Sequence, residues 1–158
     1  MKVLVACEES QAVCIAFRKL GHEAYSCDTQ ECSGGHPEWH IQADVLPLIN
    51  GNKPFVTMDG DLHAIIGTWD LLIAFPPCTY LTNAGSVRLR VKGKINEERM
   101  AKAIEAKAFF MRFLEADCQK ICVENPTPGR IHQLPEYTQA IQPWWFGHPY
   151  TKRTCLWL

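Results

Sequence analysis

No apolar run in this 158-residue chain approaches the length of a bilayer, which excludes a helical membrane span. Nor is there a charge excess. The 16 Lys and Arg stand against 17 Asp and Glu, a net charge of −1. A strongly basic chain gathers nucleic acid over its whole surface; this one has to meet such a partner through a local patch. Internal repeats, low-complexity tracts and linker-like stretches are absent too, so solenoids and disordered tails drop out. One domain over residues 1–158 is expected. Because the sequence enters the strand-like Lys2-Val3-Leu4-Val5 at once, no secretory leader is expected. The eight cysteines are therefore expected to be thiols in a reducing cytoplasm, several of them acting as small buried hydrophobes, and not a disulfide framework.

What is present is an ordinary globular composition, 47% apolar and 21% charged. Val3 to Cys7 has β character. From Gln11, apolar residues at Val13, Ala16, Phe17 and Leu20 follow a helical period that Gly21 stops, with Ser10 the expected N-cap. A second strand is predicted over His22 to Cys27, ending at Asp28, and a helix around Asp61 to Gly67. Trp69 to Phe75 is the strongest strand, and Asn96 to Asp117 the strongest helix. Asn96 is that helix's expected cap, and Met100, Ala103, Ile104, Phe110, Phe113 and Leu114 its apolar face. Lys120 to Glu124 and Cys155 to Leu158 complete the strands, and Pro126 to Gly129 reads as a turn. Strands alternating with helices predict an α/β domain with a mostly parallel sheet flanked by helices. Ligands of such sheets sit beyond the carboxyl ends of the strands. Asp28, Asp44, Pro76 to Cys78 and Glu124 all fall at predicted strand ends.

Two of those ends carry chemistry. Phe75-Pro76-Pro77-Cys78-Thr79 puts a thiol after a proline pair, and Val123-Glu124-Asn125-Pro126 puts a carboxyl group after an apolar run. A thiolate adding to an aromatic heterocycle and an acid protonating it make a pair suited to a pyrimidine. Glu124, flanked by apolar residues, is expected to have a raised pKa, which suits an acid that holds a ring nitrogen.

On these residues the chain resembles the DNA (cytosine-5) methyltransferase family in a short, phage-like form. The resemblance implies a Rossmann-like methyltransferase fold and S-adenosylmethionine as cofactor. It also implies DNA or a cytosine nucleotide as substrate. Pro77-Cys78 is similar to the family's proline–cysteine motif, whose thiolate attacks C6 of cytosine. Glu124-Asn125 is similar to the motif that contacts N3 and holds the base. Arg153, before the last strand, resembles one of a pair of arginines, with Thr151 at the other position. Asp28 stands where the family has an acid on the ribose of the cofactor, and Asp44 resembles the motif near its adenine. Cys7, Glu8, Ser10 and Pro76 fall at the remaining cofactor-binding positions. The family's glycine-rich first turn is replaced here by Ala6-Cys7-Glu8-Glu9-Ser10-Gln11-Ala12. A target-recognition region has no counterpart before Leu158, so a protein partner or a second copy is expected to supply it. These departures keep a second reading open: a non-catalytic module on the same fold that binds nucleotide, nucleic acid or a partner.

Three further features are weighed. Arg88, Arg90, Lys92 and Lys94 alternate with Val87, Leu89 and Val91 soon after Cys78, and are candidates for phosphate contact in a hairpin-like flap. Cys27, Cys32, His36 and His40, separated by four, three and three residues, have zinc-ligand chemistry in a cramped spacing; buried or loop side chains are the competing reading. Trp144-Trp145-Phe146 suits a core or a partner surface better than a platform for stacked bases.

Overall fold

A computed structural model describes residues 1–91 and 93–158. The chain divides into two compact units, Met1–Phe75 with Glu115–Cys122, and Pro76–Leu114 with Val123–Leu158.

In the first unit, Val3, Leu4, Val5 and Ala6 have no exposed surface, as expected of a strand covered on both faces of a parallel sheet. They form β1 (Lys2–Ala6), followed by α1 (Ala12–Lys19), β2 (Glu23–Asp28) and β3 (His40–Gln42). After these come β4 (Pro54–Val56), β5 (Leu62–Ala64) and β6 (Leu71–Ala74). β1 lies parallel to β2 and to β6, and β2 parallel to β3. Val3, Val5, Cys14 and Ala24 make a core against which Phe17, Trp39 and Ile73 pack. Arg18, in the last turn of α1, favours the negative end of the helix dipole. It donates to Ala24 O at 2.7 Å and lies over the rings of Tyr25 and Trp39.

Two local expectations are corrected here. Ser10 does not cap α1; the N-cap is Gln11, in the left-handed region at φ 58°. The predicted helix at 61–67 is instead one arm of a β4–β5 hairpin, pairing Phe55 with His63 and Val56 with Leu62. Its turn is built on Asp59-Gly60. Asp59 Oδ1 accepts from Thr57 Oγ1 at 2.7 Å, and Gly60 takes φ +96°. An Asp-Gly pair between β-type residues is a hairpin signal strong enough to outweigh a weak helical period.

The second unit contains α2 (Asn83–Ser86), β7 (Arg90–Val91), β8 (Lys94–Ile95) and α3 (Glu97–Leu114). It also holds β9 (Ile121–Pro126) from Val123 onward, β10 (Gln139–Ile141) and β11 (Thr154–Trp157). Asn96 caps α3 as its sequence suggests, its Oδ1 accepting from Arg99 N at 3.0 Å. Ala103, Phe110 and Phe113 are buried, and Phe110 meets Trp157 edge-on at 5.0 Å. Ile104 departs from the expected apolar face and is 63% exposed, because it lies about 100° around the helix from Ala103. The strand expected to stop at Glu124 continues through Pro126. β11 runs antiparallel to both β9 and β10, pairing Leu156 with Glu124 and Cys155 with Asn125. Trp144, Trp145 and Phe146 lie on a short 3-10 turn with more than half of each exposed, so they are not core.

Within the first unit the strand order is β6-β1-β2-β3, and within the second β10-β11-β9. The fold is thus α/β, a mostly parallel mixed sheet with flanking helices, compatible with a Rossmann-like arrangement. Among the described residues, no helix is long and apolar enough to cross a membrane.

Candidate active site

In the first unit the turn after β1 does without glycine by placing Cys7 and Gln11 in the left-handed region, each at φ 58°. A non-glycine residue held there costs roughly 1–3 kcal/mol, so the surroundings must enforce it. Cys7 N donates to Cys27 O at 2.7 Å and Glu8 N to the same oxygen at 3.3 Å. Gln11, fully buried, donates to His36 O and accepts from His36 N. Gly34 packs so closely on this turn that a Cβ there would stand 2.6 Å from Gln11 Cβ and 2.7 Å from Ser10 O.

Glu8 is buried, and its two oxygens accept from Val13 N at 2.6 Å and Cys14 N at 3.2 Å. It does the capping that Ser10 was expected to do. Burial raises its pKa, against the lowering effect of those two backbone bonds. Ser10 itself is exposed.

Asp28 is half-buried at the end of β2, its Oδ1 accepting from Gln30 N at 3.0 Å. Asp44 is exposed just after β3 and accepts from Leu46 N at 3.0 Å. The charges of both reach Cys7, whose thiol is pushed up to about 12 first by burial and then by these two carboxylates. Cys27 is likewise pushed up to about 12, mainly by burial. Cys7, Asp28 and Asp44 therefore share one rim, at the ends of three adjacent parallel strands.

The second unit holds the thiol and the acid. Pro76 is buried and Cys78 half-buried. The Cys78 carbonyl accepts from Leu81 N at 3.0 Å and Thr82 N at 3.2 Å, closing a turn directly behind the thiol. The segment that follows joins the segment after the acid. Asn83 N donates to Thr127 O at 2.8 Å, Gly129 N donates to Leu81 O at 2.9 Å, and Thr82 bridges Pro128. The chain leaving Cys78 and the chain leaving Glu124-Asn125-Pro126 are thus hydrogen-bonded side by side.

Glu124 is half-buried; burial raises its pKa, and the charge of Lys152 lowers it by less. Asn125 is fully buried. Its amide donates to Pro126 O, and among the described residues its Oδ1 has no hydrogen-bond partner. A buried acceptor left so costs about 1–3 kcal/mol. Arg153 is exposed, donates to Tyr137 Oη and lies over the Tyr137 ring. Next to the acid motif, a cleft of about 440 Å³ is lined by Thr127, Gly129, Arg130 and Tyr137 among others.

No protein-family model matches this chain, and no curated protein matches it either.

Several residues hold the site together in roles that the sequence did not indicate. Arg99 donates to Thr79 O at 3.1 Å and Gly85 O at 3.3 Å and lies over the Tyr80 ring, fastening the loop behind Cys78 to α3. Gly85 permits this, since a Cβ would stand 2.5 Å from Thr79 O. Ser86 Oγ donates to Thr82 O at 2.9 Å and pairs with His132 Nε2 at 3.0 Å. His132 is buried, with its pKa lowered by burial and then by the charges of Lys107 and Arg99. Glycines in the segments following both motifs were the available signal, because each allows two backbones to approach closely.

The basic segment is more compact than the expected flap. Val87 is 77% exposed, Leu89 is buried on a 3-10 turn, and only β7 and β8 form a hairpin. Arg88 and Lys94 are exposed. Lys92 and the side chain of Arg90 lie outside the described residues.

Three of the four zinc candidates have other partners. His40 is buried, with Nδ1 on Ser26 Oγ at 2.8 Å and Nε2 on Gln30 O at 2.9 Å. His36 pairs with Glu38 at 2.9 Å and stacks on Trp39, and Cys27 contacts Ala43 O. Cys32 is half-buried. Among the described residues, no group of three or more His, Cys, Asp or Glu is placed to hold a metal ion.

Proposed function

We propose that this chain is an S-adenosylmethionine-dependent methyltransferase acting on C5 of cytosine, in DNA or a related nucleotide. The observation that carries this reading is the pairing of the segments behind Cys78 and Glu124, which makes a nucleophile and an acid two parts of one hydrogen-bonded unit.

The cofactor belongs, on this reading, to the first unit. Open parallel sheets bind ligands beyond the carboxyl ends of the strands, where strand order reverses. Here that point lies between β1 and β6. Asp28 and Asp44 offer acceptors for ribose hydroxyls and amines. The Glu8 carboxylate fills the N-terminus of α1, the place where a dinucleotide would set its pyrophosphate. An anionic phosphate is disfavoured there, whereas S-adenosylmethionine carries a sulfonium and no phosphate. When bound, it supplies an electrophilic methyl group.

The rest is work for the second unit. Cys78 Sγ, as thiolate, forms a bond to C6 of the pyrimidine, and the displaced electron pair makes C5 nucleophilic. Glu124 in its protonated form holds N3 and favours that charge shift. Asn125 Oδ1 is an acceptor of the kind the exocyclic amine of cytosine would satisfy, and Arg153 helps position the base. After C5 is methylated, loss of its proton to water and departure of the Cys78 thiolate restore the ring. A cytosine in duplex DNA would have to be flipped out first.

The test has two arms. Calorimetric titration should give saturable S-adenosylmethionine binding that is lost in Asp28→Ala. Labelled methyl groups should pass to cytosine-containing substrates and not in Cys78→Ala, and 5-fluorocytosine should trap the wild type covalently. Absence of cofactor binding at millimolar concentration would reject the enzyme. The non-catalytic module draws support from Gln11, whose buried side chain is tied into the first turn. It is favoured if nucleic acid binds equally to Cys78→Ala and the parent shows no turnover.

A further inference from the structure

From Tyr137 to Leu158 the chain contains no Asp or Glu, although the whole sequence has 17. The formal charges in that stretch are Lys152 and Arg153, both exposed. In the same stretch Trp144 is 55% exposed, Trp145 52%, Phe146 67% and Tyr150 54%. Four large aromatic rings in seven residues, none of them buried, are not a core that failed to close. The 3-10 turn Pro143–Phe146 is stopped by Gly147 in the left-handed region at φ 87°, and His148 N donates back to Pro143 O at 3.2 Å. The turn is a defined scaffold that holds the rings outward.

The rings do not make a plateau. Trp144 and Trp145 stand perpendicular, at an interplanar angle of 90° with centroids 5.7 Å apart. A flat protein partner needs a continuous apolar surface with a dry centre. Two perpendicular indole faces offer instead separate stacking positions, one plane each. Bases stack on aromatic faces irrespective of their identity, and cations beside them neutralise the backbone that links those bases. Acid-free, lysine- and arginine-bearing, with outward aromatics, this segment matches that chemistry and no other class of ligand as well.

We infer that the segment from Trp144 to Arg153 is a binding strip for single-stranded nucleic acid, with bases stacked on Trp144 and Trp145 and phosphates drawn by Lys152. This names the substrate form of the cytosine reading and rests on it only for its purpose; the binding itself needs neither cofactor nor Cys78. It also accounts for a near-neutral chain meeting a polyanion, because the charge is sorted within the sequence and not supplied by the total.

The test is fluorescence anisotropy with labelled 12-nucleotide oligo(dC), oligo(dT) and a duplex of equal length, at two salt concentrations and without cofactor. Single strands should bind more tightly than duplex. Trp144→Ala and Trp145→Ala should each weaken binding by between about fivefold and a hundredfold, the effect of losing one stacked base. Trp144→Phe and Trp145→Phe should recover part of it, which a merely structural role would not require. Lys152→Ala should reduce the salt slope by about 0.7, one phosphate contact on a single strand. Binding unchanged in both alanine variants, or preference for duplex, overturns the inference. So does a sedimentation shift showing that the aromatics join two copies of the chain. Retained binding without methyl transfer in the parent would leave the strip standing and reject the enzyme.

Discussion

Gly129 is the position where a single methyl group should do most harm for a reason that can be isolated. Its φ is −69° and ψ 131°, a conformation open to any residue, so backbone strain plays no part in the outcome. The obstacle is Ser86. A Cβ on residue 129 would fall 1.9 Å from Ser86 Oγ, 3.0 Å from Ser86 Cβ and 3.1 Å from His132 Cδ2. Ser86 Oγ would have to leave, breaking its bonds to Thr82 O and His132 Nε2. Two hydrogen bonds at about 0.5–1.5 kcal/mol each, with about 1 kcal/mol or more of residual crowding, predict a loss of about 2–4 kcal/mol for Gly129→Ala. Urea denaturation reads it as a lower midpoint at an unchanged slope. The decisive comparison is the background Ser86→Gly, in which the obstructing atoms are already gone. There Gly129→Ala should cost less than about 1 kcal/mol, so the two changes couple by at least about 1 kcal/mol. Strictly additive costs would refute the reasoning, because they would mean that the methyl group is resisted by something other than Ser86. Since Gly129 N also bonds Leu81 O, the proposed methyl transfer, once assayed, should fall in Gly129→Ala further than the folded fraction.

Other outcomes follow from the same geometry. Glu8→Ala should cost about 1–2 kcal/mol, the usual worth of a lost helix cap, and Glu8→Gln less, as judged by chemical denaturation. Cys7→Gly should be more stable than Cys7→Val by at least about 1 kcal/mol in thermal melts, since a β-branched residue is poorly tolerated at φ 58°. Burial raises the folded-state pKa of Glu124. Its ionisation therefore lowers stability as pH climbs from the ordinary carboxyl value through the raised one. Glu124→Gln should remove that part of the decline above the ordinary carboxyl range, and an unchanged pH profile would contradict it. Cys7 and Cys27, pushed up to about 12, should resist iodoacetamide at pH 8 in the folded protein and react once it is unfolded, as read by peptide mass mapping.

Much of the fold was legible because it is written in hydrophobic period. β1, β2, β6, α1 and α3 fall within a few residues of where the apolar pattern puts them, and Asn96 caps α3 through the bond its type implies. The β4–β5 hairpin was missed because a few apolar residues suggested a helix while Asp59-Gly60, the stronger cue, was passed over. Ser10 lost the capping role to Glu8, a side chain long enough to reach Val13 and Cys14 from two residues further back. In the site, strand ends told where Cys7, Asp28 and Asp44 would stand. They told nothing about what fastens the loops behind Cys78 and Glu124. Arg99, Ser86 and His132 do that through contacts between residues far apart in sequence, and no local pattern encodes such pairs. Exposure of Trp144 and Trp145 was hidden for a similar reason. An aromatic triplet looks the same inside and outside until its scaffold is known.

The placement of β11 has a consequence for how the protein comes into being. β11 lies between β10 and the earlier β9, and both of its edges are used. During synthesis β9 and β10 are made well before the strand that joins them. Until residues 154–157 leave the ribosome, their backbone donors and acceptors face solvent, and Phe110 has no Trp157 to meet. The second unit is therefore expected to complete its sheet only after residues 154–157 have emerged. Nascent chains stalled before residue 154 should expose two open strand edges and be the species that chaperones hold or that aggregates first.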